Sequence, residues 1–360
     1  MSAIPQSITE AHIHKAVAQI DHGGVPSGRE SKKFHLLING RRYPPKYVVS
    51  LAAAQATGRE LPSQDFSGGD ETNKFLRERG FTIEGPAEEE APVIVRVVVR
   101  GKPSSPRKAS EMLLEAFENW PSSGRAKFTI TPGGFIEGKF PEQWSGGVSW
   151  ESSKKDLDSL VGLAKPLVDA CLTKKVLAAA KARTRVLTLG VDLMGDAEHV
   201  ELVAVIDCDS GKIVRWTGKS YPTGGQEKLL VQVAEVDSHL IEIAGERVLV
   251  LGCHDLNMFS ARAHANQRPD GQRRRRCDAM AKATARFKPT IALQHPHSTD
   301  TPNIWRSPWG CLLRDYPTVR TYASGIGYYR WHGRTRRSLK DVLEGTRSDE
   351  GVVDVIVKAR

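Results

Sequence analysis

Long hydrophobic runs are missing from this chain of 360 residues. No apolar stretch approaches the ~20 residues that a membrane-spanning helix needs, so no membrane partner is expected. The opening residues Met1 to Gln6 carry neither the basic nor the apolar region of a secretory signal, and the expectation is a cytoplasmic protein. Cysteine is sparse. The five cysteines, Cys171, Cys208, Cys253, Cys277 and Cys311, are odd in number and form no Cys-x-x-Cys pair. That pattern argues against a zinc ribbon or a disulfide framework. Internal repeats and low-complexity tracts are absent. Ser67-Gly68-Gly69 is too short for a phosphate loop, so no cofactor is expected.

Charge is present in excess of one sign. Lysine and arginine number 52 against 42 acidic residues, a net charge of +10, which favours a polyanionic partner. The distribution is uneven. Glu88 to Glu90 are acidic, whereas Arg273, Arg274, Arg275 and Arg276, with Arg268 nearby, read as a cationic insertion and so a basic patch. That patch suits nucleic acid or a nucleotide phosphate, and the plainer alternative is a solvated face. Tyr328, Tyr329 and Trp331 beside Arg330 and Arg334 offer stacking surfaces next to charge, as single-strand binders do. Lys46, Arg41 and Arg42 read as solvated.

Residues 1–85 predict a small α+β head domain. An amphipathic helix over 8–20 leads to a strand over 34–38, a hairpin at Asn39-Gly40 and a return strand that Pro44-Pro45 stops. A helix over 47–57, a second over 71–79 and a strand over 81–83 follow. Residues 86–92 read as an acidic, proline-flanked linker. From Val93 onward strands and helices alternate, which argues for a layered α/β domain over 93–345. A helical pattern over 157–177 is predicted to break at Pro166. The tail, 346–360, holds an apolar run over 352–357 that suits an edge strand.

The strongest chemical signal is Cys253. The run Arg247 to Gly252 reads as a buried strand, and His254 onward as a turn into a helix. A thiol at such an elbow meets backbone N–H groups that lower its pKa and stabilise an oxyanion. The usual state of a lone thiol is instead a small buried hydrophobe.

Two resemblances follow from motif order. Asn39-Gly40, Tyr43-Pro44-Pro45-Lys46, Phe66-Ser67-Gly68-Gly69, Asn73-x-Phe75-Leu76 and Gly80-Phe81 resemble the N-terminal head domain of McrA-type, modification-dependent restriction endonucleases. This implies an accessory module that travels with nucleases and defence proteins, and hence a role against foreign DNA or phage. Lys219, Cys253-His254-Asp255, Phe259, Arg262, Trp309 and the strand over 319–324 resemble, in that order, the nitrilase or carbon–nitrogen hydrolase superfamily. This second resemblance spans about 93–330. It implies a four-layer αββα sandwich, a small-molecule amide or nucleotide-like ligand, and domains that can pair as a homodimer. Cys253 would then be the nucleophile and Lys219 the oxyanion stabiliser.

One departure stands out. Where the family has its first catalytic glutamate, after Pro132, this chain has Gly133. Either the general base comes from elsewhere or the thiol does not hydrolyse amides. Glu137 and Glu142 are near in sequence and could substitute, and His254 or His297 could also serve, since histidine is the residue type suited to proton transfer near neutral pH. His254, Asp255, His295, His297 and Trp309 are the expected supporting residues. A competing reading gathers Asp192, His254, Asp255, His295 and His297 at strand ends around a metal ion, as in a metal-dependent phosphoesterase. A non-catalytic nucleic-acid or nucleotide binder is the other alternative.

Overall fold

A computed structural model describes residues 4–31, 34–84, 91–102, 105–121, 124–140, 154–196, 198–222, 226, 229–233, 235–260, 271–329 and 337–359. The chain divides into two compact units, Met1–Glu90 and Ala91–Arg360. The division falls inside the stretch read as a linker, of which 86–90 lie outside the described residues. Among the described residues no helix is long and apolar enough to cross a membrane.

The first unit runs α1 (Glu10–Gly23), β1 (His35–Ile38), β2 (Arg41–Tyr43), α2 (Pro45–Thr57), α3 (Asp70–Arg77) and β3 (Thr82–Glu84). Asn39 and Gly40 both take left-handed backbone, with φ of 51° and 74°. This is the two-residue turn whose twist matches an antiparallel hairpin, and it sets Leu36 opposite Tyr43. Helix α1 buries Ile13, Ala16, Val17 and Ile20, one face at helical spacing. The proline pair that stops β2 also starts α2, because Pro45 fits the first helical position, where no N–H partner is needed.

In the second unit come β4 (Ile94–Arg100), α4 (Pro106–Glu118), β5 (Ala126–Ile130), β6 (Ile136–Lys139), α5 (Lys154–Cys171) and α6 (Lys174–Arg183). Then follow β7 (Thr184–Met194), β8 (His199–Asp207), β9 (Lys212–Gly218), β10 (Leu240–Ile243), β11 (Glu246–Leu251), α7 (Gln272–Phe287), β12 (Ile291–Gln294) and α8 (Asn303–Asp315). Strands β13 (Thr321–Ser324) and β14 (Ile326–Tyr328), helix α9 (Leu339–Glu344) and strand β15 (Val352–Lys358) complete it. The larger sheet has the order β14-β4-β5-β7-β8-β9, with β6 beside β7 and β15 beside β4; the smaller is β10-β11-β12-β13.

Side-chain alternation along the strands assigns the layers. Ile94, Phe128, Ile130, Val186, Val203 and Val205 of the larger sheet share one core with Val248, Val250, Ile291 and Leu293 of the smaller. Their neighbours Val95, Val97, Leu187, Leu189 and Leu202 face outward onto α4, α5 and α6. On the far side Leu249, Leu251 and Ala292 pack against Cys277, Met280, Trp305, Trp309 and Leu312 of α7 and α8. Helix, sheet, sheet, helix is the αββα sandwich.

Three local expectations need correction. Helix α5 runs through Pro166 without a break. Leu160, Ala164, Val168 and Cys171 line one face of it and are fully buried, which offsets the ~3 kcal/mol that an interior proline costs. The helix expected after Cys253 is a 3-10 turn over Asp255–Phe259, and Arg262 beyond it lies outside the described residues. The arginine run is no insertion; Arg273, Arg274, Arg275 and Arg276 form the opening of α7.

The tail is tied in by a buried ion pair. Strand β15 pairs in parallel with all of β4, setting Asp354 opposite Arg96. The fully buried Arg96 donates to both Asp354 oxygens, at 2.6 and 3.1 Å, and to Thr346 Oγ1 at 2.8 Å.

Candidate active site

The site forms where strands of both sheets end. Cys253 follows β11 and Gly252, His297 follows β12, and Lys219 follows β9. Asp192 and Glu201 sit directly opposite each other on β7 and β8. Two carboxylates in cross-strand register repel unless a cation lies between them. Here two cationic side chains do so. His297 Nε2 lies 2.5 Å from Asp192 Oδ2, and its Nδ1 lies 3.7 Å from Glu201 Oε2. Lys219 Nζ donates to Glu201 Oε1 at 2.7 Å and to Gln226 Oε1 at 2.8 Å. One ligand-type atom from each of Glu201, Cys253 and His297 lies within 4.8 Å of the other two.

Electrostatics poise the thiol. Burial opposes ionisation of Cys253, but His254 and His297, by charge and by hydrogen bonding, outweigh it and hold the thiol at about 5. Burial likewise opposes charge on His297, and Asp192, Glu201 and Cys253 overcome it, so its pKa stands well above an ordinary histidine's. At neutral pH the pair is therefore a thiolate beside an imidazolium. Lys219 is buried too, yet Glu201, Cys253 and Asp255 keep its pKa above the ordinary lysine value. Glu201 is held well below the usual carboxylate range, because Lys219, His297 and His199 outweigh its burial.

Gly133 has no room for a side chain. A Cβ there would stand 2.6 Å from the carbonyl oxygen of His295 and 3.4 Å from His297 Cε1. The next residue, Gly134, has φ of 59°, and a Cβ on it would meet Asp192 Oδ2 at 2.9 Å. The His295 carbonyl fills the place that a side chain on Gly133 would need, and the Asp192–His297 pair fills that of one on Gly134.

The other expected residues separate into groups. Cys253, Lys219, Glu137, His254 and His297 line one cavity of about 560 Å³. Glu137 stands there in an ion pair with Lys102 at 3.0 Å, and Glu142 lies outside the described residues. Asp255 does not face the cavity. Its buried carboxylate accepts the N–H groups of Gly252, Ser220 and Tyr221, each at 2.8 Å, and so ties the nucleophile turn to the residues after Lys219. His295 is buried and belongs neither to the cavity wall nor, among the described residues, to the cluster of possible ligand atoms that holds His297, so the two histidines do not converge on one ion; burial lowers the pKa of His295 to about 3. Trp309 is also in the core. Its Nε1 donates to Ser324 Oγ at 3.0 Å, Ser324 donates to Gln294 Oε1 at 2.7 Å, and Gln294 Nε2 donates to the Cys253 carbonyl at 2.7 Å. The tryptophan thus positions the Cys253 backbone through two intermediaries.

The basic patch is partly consumed by the fold. Arg276 is buried and donates to the carbonyl of Val233 at 2.8 Å, Arg274 pairs with Asp278 at 3.1 Å, and Arg273 lies over the Tyr221 ring. Arg275 is helical at the start of α7. Arg268, Arg330, Trp331 and Arg334 lie outside the described residues.

Sequence reasoning missed Glu201, His199, Gln226 and Trp305, and took Asp192 only for a metal ligand. The available signal was Glu201 itself, an acid inside the apolar run Val200 to Ile206. Glu201, Cys253 and His297 are residue types that could hold a zinc-like ion. Lys219, however, already supplies the positive charge on Glu201, and Nε2 of His297 is engaged by Asp192. The same set can act as nucleophile, proton carrier and oxyanion partner.

No curated protein matches the chain in sequence. Among solved structures, a cysteine-to-alanine mutant of the Nesterenkonia AN1 amidase from the nitrilase superfamily is 15% identical. The alignment covers 67% of this chain and 78% of that one, with a TM-score of 0.40. A second structure of an amidase from Nesterenkonia sp. is 16% identical over 67% of this chain and 78% of that one, with a TM-score of 0.38. The four layers described above rest on the packing of this chain itself. Residues 6–85 match the family model of the ScoMcrA-like N-terminal head domain, so the first unit is similar to that domain.

Proposed function

We propose that the larger domain is a thiol-dependent carbon–nitrogen hydrolase whose general acid–base is His297 rather than a glutamate. The observation that carries this reading is the cluster of Cys253, His297 and Glu201 within 4.8 Å, with His297 bound to Asp192 and Glu201 to Lys219. The Cys253 thiolate attacks the amide carbonyl carbon. The Lys219 ammonium offsets the charge that develops on oxygen. The C–N bond breaks as His297 gives its proton to the leaving amine. Water, losing a proton to His297, then cleaves the thioester to release the acid and restore the thiolate. Asp192 orients the imidazole throughout.

The similarity of residues 6–85 to ScoMcrA-like head domains supports a role in defence against foreign DNA. The five free cysteines suit a reducing, cytoplasmic setting. The test is intact-mass analysis of alkylation by iodoacetamide from pH 5 to 9, with Cys253→Ala as control. Selective labelling of Cys253 with a midpoint near 5 is expected. Labelling no faster than at the partly exposed Cys311 would remove the hydrolase reading.

A further inference from the structure

The cavity around Cys253 is acidic although the chain as a whole is basic. Asp192, Glu201, Glu137 and Asp300 line it, against the cations Lys102 and Lys219; the Cys253–His297 pair adds no net charge. Glu137 and Lys102 neutralise each other at 3.0 Å, and Lys219 is spent on Glu201. The other oxygen of Glu201, Oε2, is buried without a hydrogen-bond partner and faces His297 Nδ1 at 3.7 Å, and two further buried acceptors are left over. Asp300 is 4% exposed, and its Oδ1 accepts from the Thr301 hydroxyl at 3.2 Å. Among the described residues its Oδ2 has no hydrogen-bond partner, and neither has Oδ1 of Asp192, a residue 2% exposed. A buried carboxylate oxygen without a donor is costly, and both belong to residues of the cavity wall.

The same wall has an apolar side. Met194 is 40% and Ile304 45% exposed, and both line this cavity beside the buried Trp305. Large side chains left open at a cavity are where hydrocarbon is recognised.

From these two features, and resting on the hydrolase reading above, we propose that the substrate is an amide bearing a cationic nitrogen with N–H donors, an ammonium or guanidinium, on a short hydrocarbon stem. Asp300 receives the cation, Asp192 Oδ1 offers a second acceptor, and Met194, Ile304 and Trp305 cover the stem. Asp300 is thus a specificity residue rather than part of the proton machinery.

Methanethiosulfonates test this without a known substrate, because the Cys253 thiolate displaces methanesulfinate and keeps the reagent's other half as a mixed disulfide. The reagents are the 2-aminoethyl cation, the 2-sulfonatoethyl anion and the neutral methyl compound, applied at pH 7 to the full-length protein and to Asp300→Asn. Each rate is divided by that of the same reagent with a free thiol, and labelling in Cys253→Ala is subtracted. The expected preference for cation over anion is about tenfold or more, as charge focusing in a cleft provides, and it shrinks in Asp300→Asn. Labelling without that preference, or with a preference that Asp300→Asn leaves intact, overturns the proposal and spares the thiol reading. No labelling by any of the three overturns both. Should Asp300→Asn fail to fold, the wild-type protein decides. Protection of Cys253 from the methyl reagent by butylammonium but not by butanoate supports the proposal, and equal protection or none refutes it.

Discussion

Replacing His297 by glutamine removes the imidazolium that Cys253 faces and leaves a side chain of similar length. Burial would then act on the thiol with His254 and the Lys219 ammonium left to oppose it, and its pKa rises. The sign matters for the assay. At pH 7 the wild-type thiol, held at about 5, is almost wholly thiolate. If the entire depression were lost, back to an ordinary ~8.5, the thiolate fraction at pH 7 would fall roughly 30-fold. A more basic thiolate is also a better nucleophile, and with a Brønsted slope of about 0.45 that gain is roughly 40-fold. The two effects nearly cancel, so the rate at pH 7 is uninformative. At pH 5 the loss of thiolate is about 1,500-fold and the net fall in alkylation rate about 40-fold, an upper bound because His254 remains. The measurement is therefore the pH profile of Cys253 alkylation in both proteins. A midpoint that rises by a unit or more in His297→Gln is expected. An inflection that does not move, or a wild-type midpoint already near that of a free thiol, would refute the thiolate–imidazolium pair.

Removing one partner of the buried Arg96–Asp354 pair leaves an uncompensated charge, so Asp354→Ala should lose about 3–5 kcal/mol, read as a lower urea midpoint. Trp309→Phe deletes the donor at the head of the chain that ends on the Cys253 carbonyl. It should cost about 1–3 kcal/mol in thermal denaturation and slow Cys253 labelling without moving its midpoint. Lys219→Met strips Glu201 of its closest cation. The stability that Glu201 contributes is present above its unfolded pKa and lost as pH falls through its folded one. In the wild type that loss comes well below the usual carboxylate range, and in the variant it moves up toward about 4.3, as scans of melting temperature against pH would show.

The layering was legible because it depends on periodicity. The near-continuous apolar runs of β4, β7 and β8, which are buried on both faces, and the helical spacing in α4 are local properties of the chain, and so is the Asn39-Gly40 hairpin. The errors lie where tertiary burial overrode a local signal. Pro166 is a sound reason to end a helix, but Ala164 and Val168 on either side of it are fully buried, and packing decided. The arginines at 273–276 looked like a surface insertion because charge usually stays in water. Arg276 is nonetheless buried, its guanidinium donating to the Val233 carbonyl.

Half of the site was legible for the same reason that half was not. Cys253 and Lys219 were visible because each ends a strand just before a turn, a position that can be read along the chain. His297 is only one of several candidates that the sequence offers beside the thiol, since distance along the chain says nothing about which histidine returns to it. His297 is 44 residues beyond Cys253 and 105 beyond Asp192. What unites them is that β7, β11 and β12 end on the same side of two packed sheets. The absence at Gly133 was itself the clue, since a glycine with no room for a Cβ marks a backbone that another segment must approach. Here that segment is His295-Pro296-His297: the carbonyl of His295 fills the space beside Gly133, while His297 turns to Asp192 and the thiol.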